Sequence, residues 1–228
     1  MDNVNERKSF VKRPHYYWIE KIYTDIAALM LPILDKTFIT PNMITILNII
    51  NSIFIYIILW DEKYTLTAVM IQIYLFLDIL DGNLARYKNM CSKLGKVLDQ
   101  INDRTFYNLF YIILGIRIGI HWIWIATYLI IYNMYAIIAT FYIVPQIKKI
   151  KDYKRKGIKK ILMDKGILLG MEVGMGDVMT SVLLLTHYKE WIFYSIPILY
   201  FLDLLYRLNE LRFNKKFNLD SASNAERH

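Results

Sequence analysis

One cysteine, Cys91, stands in a chain of 228 residues, so no disulfide can close within it. Cys91 falls in an expected cytosolic loop and reads as a bystander rather than a nucleophile. The first 20 residues hold no apolar core of the length a cleavable signal peptide needs, and none is expected. Internal repeats and low-complexity runs are also lacking.

Apolar residues are abundant. The chain is 56% hydrophobic and 15% aromatic, with a mean hydropathy of +0.29. That is too apolar for an ordinary soluble domain and indicates a membrane protein. The net charge of +8 would suit a nucleic-acid partner, but its distribution argues against one.

Residues 1–14 are polar and basic, a mobile start. In 16–36, Ile19, Ile22, Tyr23, Ile26, Leu29, Met30 and Ile33 recur at helical spacing among charges, which predicts an interfacial amphipathic helix with Trp18 near its start. Six apolar segments follow, at about 43–60, 64–86, 95–119, 122–145, 166–187 and 191–210, each at or above the roughly 18 residues a span requires. The predicted class is an all-α integral membrane protein with six transmembrane helices and the N-terminal interfacial helix. Its expected divisions are 1–38 as cytosolic N-terminus and interfacial helix, 39–211 as membrane domain, and 212–228 as a polar, disordered tail.

With the N-terminus in the cytosol, Lys63, Arg117 and Lys189 are the basic residues at the outer face, and the other 25 of the 28 fall inside. Nine of those lie between 146 and 165. This positive-inside bias places both termini in the cytosol, and Trp60, Trp122, Trp124 and Trp191 then form an outer aromatic belt. Topology and anionic lipid account for the charge, and no nucleic-acid partner is expected.

The residues that carry chemistry lie at the cytosolic ends of the second and third segments. Asp78 and Asp81 are three apart, and Asp99 and Asp103 are four apart. Both spacings put carboxylates on one helical face. Asp78, Gly82 and Ala85 fall at i, i+4 and i+7, a carboxylate followed by a flat strip. Four carboxylates at a membrane edge are costly to ionise together, and a bound cation removes that cost. Hard oxygen ligands suit Mg²⁺ or Mn²⁺, which often bridge to substrate phosphates. The small residues let a nucleotide approach.

These residues form the pattern D-x2-D-G-x2-A-R-x8-G-x3-D-x3-D, through Asp78, Asp81, Gly82, Ala85, Arg86, Gly95, Asp99 and Asp103. The pattern resembles the signature of the CDP-alcohol phosphotransferase (phosphatidyltransferase) family in every residue and spacing. Eight such positions would match by chance about once in 10⁹ starts. Pro41, Asn42 and Thr45 resemble the P-N-x-x-T element that the family carries near its nucleotide site. The resemblance implies six helices around a polar cavity open to the cytosol, usually in a homodimer. It implies a CDP-linked donor, an acceptor hydroxyl that attacks the phosphorus remote from cytidine, and CMP as leaving group. Carried over residue by residue, Asp78, Asp81 and Asp99 are metal ligands for Mg²⁺ or Mn²⁺, two ions in all. Asp103 is a further ligand or the general base. Asn42, Thr45, Asp78, Gly82, Ala85, Arg86 and Gly95 are nucleotide contacts, with Lys96 and Arg104 as further electrostatic candidates.

The fifth segment carries Glu172 and Asp177, and intramembrane acids default to functional roles. With Lys165, the nearby cation, they are the candidate acceptor contacts. Asp203 adds an acid in the sixth segment. Three functions are open at this point. The first is a phosphatidyltransferase joining CDP-diacylglycerol or a related CDP-lipid to a small polar alcohol. The second transfers a phosphocholine- or phosphoethanolamine-type group from a soluble CDP-alcohol to a lipid acceptor. The third is a non-catalytic, metal-binding membrane transporter.

Overall fold

Capping and turn chemistry set the helix boundaries in the computed structural model, which describes residues 16–150, 153, 157–165, 167–168 and 170–225. Residues 1–14, read above as a mobile start, lie outside the described residues. Helix α1 spans Trp18–Asp35 and α2 spans Pro41–Trp60. Thr40 caps α2 by accepting the Met43 N–H at 3.3 Å, and Pro41, whose ring presets a helical φ, takes the first position. A tight turn through Glu62, with φ of 58°, leads into α3, Tyr64–Tyr87. Ser92 caps α4, Lys93–Arg117, by accepting the Gly95 N–H at 2.9 Å.

Gly119, at φ 71°, supplies the left-handed residue before α5, Trp122–Ile138. The helical run then widens into a π turn at Ala139–Ile143 before α6, Val144–Lys149. Pro145 has no N–H to offer the Phe141 carbonyl, which accounts for the irregularity there. Helix α7 spans Gly157–Asp164, α8 spans Val173–Leu184 and α9 spans Trp191–Ala225. A two-residue parallel pairing, β1 (Tyr16–Tyr17) with β2 (Ile167–Leu168), ties the start of α1 to the segment before α8.

Four helical runs are long and apolar enough to cross a membrane: Pro41–Trp60, Tyr64–Tyr87, Trp122–Lys149 and Trp191–Lys215. Two of the six predicted spans differ. Helix α4 has the length but carries Lys93, Lys96, Asp99, Asp103, Arg104 and Arg117. The predicted 166–187 segment is helical in α8 for only 12 residues, about 18 Å of rise. Its front end instead joins β2 and the polar contacts around Met171. The expected polar tail also differs: α9 continues helical through Ala225, although the apolar pattern ends near 210.

Helix α3 is the central element and packs on α1, α2 and α8. The larger core gathers Ile55, Leu59, Ile71, Tyr74, Phe106, Phe110 and Tyr111 with Phe193 and Tyr200. A smaller one joins Ala27 and Leu31 of α1 to Ile44, Leu80, Leu84 and Tyr87. Helix α1 therefore uses Thr24, Ala27 and Leu31 as its protein-facing row. Most of its predicted apolar stripe, including Ile22, Ile26, Leu29 and Ile33, points away from the protein.

Polar side chains lock α2 to α3 beneath the motif. Asn48 donates to the Tyr74 carbonyl at 3.2 Å and Asn51 to the Met70 carbonyl at 3.4 Å. Lys88 at the end of α3 donates to the carbonyls of Thr37 and Ile39, at 3.0 and 2.9 Å. These bonds fix the start of α2 beside the end of α3.

Candidate active site

The end of α3 and the first turns of α4 bring three of the motif carboxylates together. Asp78, Asp99 and Asp103 each offer an oxygen, all within 4.8 Å of one another. An octahedral ion with ligands near 2.1 Å sets its oxygens about 3 to 4.2 Å apart. Three carboxylate oxygens within 4.8 Å can close on one hard cation after small side-chain rotations, and oxygen-only donors suit the Mg²⁺, Mn²⁺ and Ca²⁺ class. The fourth, Asp81, is buried to one side and accepts the Thr45 hydroxyl at 2.7 Å.

A cavity of about 260 Å³ adjoins the cluster. Asn42, Thr45, Gly82, Ala85, Arg86 and Gly95 line it, together with Asp81, Lys96 and Asp99. Six of the seven predicted nucleotide contacts thus share one cavity, and the seventh, Asp78, belongs to the carboxylate cluster. Asp99 is common to both, and so joins metal site to cavity. Gly95 has a steric reason to be small, whereas a Cβ on Gly82 would make ordinary contact. A Cβ on Gly95 would come within 2.9 Å of Ser92 Oγ and 3.0 Å of Asn42 Oδ1. Beside Gly82, the neighbour a Cβ would meet is the Arg86 guanidinium, at 3.7 Å. Arg86 itself donates to Asn83 Oδ1 at 3.0 Å.

The donors that hold the carboxylates are neutral. Tyr74 donates to Asp103 Oδ1 at 2.7 Å, and its hydroxyl accepts from Asn102 Nδ2 at 3.0 Å. Among the described residues, none of the four aspartates forms an ion pair with Lys or Arg. Their negative charge is left to be balanced from outside the side-chain set.

The predicted acceptor residues are dispersed. Asp177 is 2% exposed and accepts the Tyr107 hydroxyl at 2.7 Å. Its backbone carbonyl accepts from Gln72, which also donates to Ser181. Glu172 holds the N-cap position of α8 without a side-chain cap, and its carbonyl accepts the Tyr200 hydroxyl at 3.1 Å. Lys165 is exposed just after α7. The arrangement does not bring these three into one pocket.

A second polar cluster, only one member of which was singled out from sequence, forms where α9 meets α5 and α7. Asp203 lies between Arg207, at 2.6 Å, and Lys159, at 3.5 Å, and accepts the Tyr135 hydroxyl at 2.8 Å. Burial holds the Lys159 ammonium below its ordinary pKa, with Asp203 pulling the other way. Arg207 also donates to the Met171 carbonyl at 3.1 Å. Gly170 makes room for it, since a Cβ there would lie 2.6 Å from its Nη2. Lys159 was hidden in sequence among the nine cations of the basic loop, whereas Arg207, charged near the end of an apolar run, was a readable signal. Tyr74 and Tyr107 were hidden among 18 tyrosines.

Comparison with known proteins agrees with the geometry. The profile of the CDP-alcohol phosphatidyltransferase family matches residues 38–201. The CDP-diacylglycerol–glycerol-3-phosphate 3-phosphatidyltransferase of Aquifex aeolicus (strain VF5) is 32% identical over 66 residues, 29% of this chain. The chain matches 37% of that relative's length. A family profile spanning more than half the chain, with all eight motif positions within it, makes this protein a member of the CDP-alcohol phosphatidyltransferase family.

Proposed function

We propose that this chain is a metal-dependent phosphatidyltransferase that joins a CDP-lipid, CDP-diacylglycerol or a close relative, to a small polar alcohol. The observation that carries the reading is the meeting of Asp78, Asp99 and Asp103 at the edge of the cavity lined by the motif's small residues. The cytidine diphosphate occupies that cavity against Gly82, Ala85 and Gly95, with Asn42, Thr45 and Arg86 as polar contacts. Asp78, Asp99 and Asp103, with Asp81 adjoining, hold two Mg²⁺ or Mn²⁺ ions. Bound metal supplies charge neutralisation of the diphosphate and of its developing negative charge.

Asp103 takes the proton of the acceptor hydroxyl. The freed oxygen forms a bond to the phosphorus remote from cytidine, the bond from that phosphorus to CMP breaks, and a phosphodiester results. The fold's part is to orient the hydroxyl in line with the leaving oxygen. Asp177, which accepts the hydroxyl of Tyr107 one turn past Asp103 on α4, stands on the acceptor side, with Glu172 further along the same face of the bundle. Lys159 and Arg207, two cations against Asp203, favour an acceptor that itself carries a phosphate. Glycerol 3-phosphate, named for the Aquifex relative, has that chemistry.

The wider architecture belongs to the same proposal. Six helices cross the membrane, with α4 and α8 as the two less apolar ones. Both termini and the active site face the cytosol, and α1 lies in the interface with Ile22, Ile26, Leu29 and Ile33 in lipid. Residues 39–211 form the catalytic domain, and two copies pair as a homodimer.

The test is CMP release by purified protein in lipid with Mg²⁺ or Mn²⁺. CDP-diacylglycerol, CDP-choline and CDP-ethanolamine are each offered with a panel of acceptors. The expected result is CMP from CDP-diacylglycerol with a phosphorylated polar alcohol. CMP from a soluble CDP-alcohol with a lipid acceptor would replace this reading with headgroup transfer, and metal flux without CMP would replace it with transport. Cys91 gives an independent readout, because it is exposed and lines the cavity. CDP-diacylglycerol with metal is expected to slow its alkylation by a maleimide; equal rates with and without donor would remove the donor from this cavity.

A further inference from the structure

Tyr74 lies one helical turn before Asp78 on α3, and its carbonyl is therefore the one that receives the Asp78 N–H. Its side chain crosses to α4, where the hydroxyl donates to Asp103 Oδ1 at 2.7 Å. One residue thus sits beneath a carboxylate of the first helix and holds a carboxylate of the second. The ring is fully buried and stacked on Phe106, with centroids 3.8 Å apart and planes 18° from parallel. Phe106 is in turn stacked on Tyr56 of α2. On the backbone side, Asn48 of α2 donates to the Tyr74 carbonyl. On the hydroxyl side, Asn102 donates to the phenol oxygen at 3.0 Å, which leaves the phenol proton for Asp103.

Resting on the functional reading above, we propose that Tyr74 is a positioning residue: pinned by Phe106 and by Asn102, it sets the rotamer of Asp103 and with it the spacing of the carboxylates on α3 and α4. A carboxylate able to rotate about two side-chain bonds is held at one oxygen. Its orientation toward a metal ion and an attacking hydroxyl is then preset in the folded protein. Asn102 is the secondary element, since its amide directs the phenol proton toward Asp103.

The experiment compares Tyr74→Phe with Tyr111→Phe. Tyr111 is equally buried, and its hydroxyl is paired with Thr180 at 3.0 Å, away from the four motif aspartates. Both variants remove one buried hydroxyl and keep the ring. Three quantities are read on protein in lipid nanodiscs: kcat, KM for the CDP-donor, and Mn²⁺ affinity by EPR titration. Tyr74→Phe is expected to lower kcat and Mn²⁺ affinity about 10–100-fold, with KM for the donor close to that of the parent. Tyr111→Phe is expected to stay within about twofold on all three, as a change outside the carboxylate supports.

Parent-like kcat and Mn²⁺ affinity in Tyr74→Phe would overturn the proposal, as would an equal loss in Tyr111→Phe or a loss confined to KM. Should Tyr74→Phe fail to accumulate, Asn102→Ala carries the test, with a smaller loss in kcat and Mn²⁺ affinity expected and parent-like values overturning it. A parent protein that neither binds Mn²⁺ nor releases CMP would instead bring down the functional reading, and this inference with it.

Discussion

The two buried polar clusters are built on opposite plans. At the ends of α3 and α4, carboxylates gather with neutral donors around them: Thr45 on Asp81 and Tyr74 on Asp103. Between α7 and α9, a single carboxylate is gripped by two cations, with Arg207 and Lys159 both on Asp203. The second cluster brings its own counter-ions, and its contacts are of the kind that hold helices together. The first has none among the described residues, and like charges held close without counter-ions are a cost to the fold. An arrangement that works against stability yet is held in place by Thr45 and Tyr74 suits the metal-dependent site proposed above. On the function proposed above, the opposite plans take opposite ligands, cations at the first and the acceptor's phosphate at the second.

The largest test of this contrast is Asp78→Asn. Removing one carboxylate takes away a ligand and also a like charge. Transfer activity is expected to fall by at least about 10³-fold, in the range of losses seen when a metal or acid–base group is removed. Thermal unfolding without metal is expected at the parent's temperature or above it. CMP release and a melting curve on the same preparation decide the matter. A variant that melts well below the parent would make the cluster structural and erase the contrast.

Arg207→Met is the intermediate case and has the opposite profile. Its guanidinium is largely buried, with the side chain 15% exposed against 10% for Asp203. Breaking such a pair leaves Asp203 with the more distant Lys159 as its one cation, and leaves the Tyr135 hydroxyl as the side-chain donor shared between Asp203 and the Met171 carbonyl, at a cost of about 2–4 kcal/mol. The melting temperature is expected to fall. In the surviving folded protein, KM for a phosphorylated acceptor should rise while KM for the CDP-donor holds. A stable variant with unchanged acceptor KM would leave the second cluster without either role.

Local pattern made much of this legible in the sequence. Segment starts read at about 43 and 95 fall within two residues of the helix starts at Pro41 and Lys93, and the cavity residues from Asn42 to Gly95 follow from their match to the family motif. The carboxylates were equally visible, because acids are rare in apolar runs. Three features were not legible. The shortness of α8 depends on where Met171 and Glu172 are pulled by Tyr135, Arg207 and Tyr200, and those contacts reach 28 or more residues along the chain. The protein-facing row of α1, Thr24, Ala27 and Leu31, depends on the second helical face finding Leu80 and Leu84 of α3. The role of Lys159 depends on tertiary pairing, since nine cations in one loop are equivalent until Asp203 selects among them.

That selection gives the smallest effect expected and the sharpest use of the comparison. From sequence, Lys165 was the cation nearest Glu172 and Asp177, and so the natural partner for an acceptor. In the structure it is exposed just after α7, its N–H spent on the Leu162 carbonyl at 3.0 Å, whereas Lys159 is drawn in to Asp203 and lies 3.8 Å from the centre of the Tyr206 ring. An exposed lysine contributes little to stability, about 0.5 kcal/mol or less. Lys165→Gln is therefore expected to leave melting and donor KM unchanged and to alter acceptor KM by less than about twofold. Lys159→Gln, six residues earlier in the same basic loop, should raise acceptor KM in parallel with Arg207→Met. If the order were reversed, with Lys165→Gln the damaging change, the acceptor phosphate would belong on the exposed side of α7. The Asp203 cluster would then be a structural tie alone.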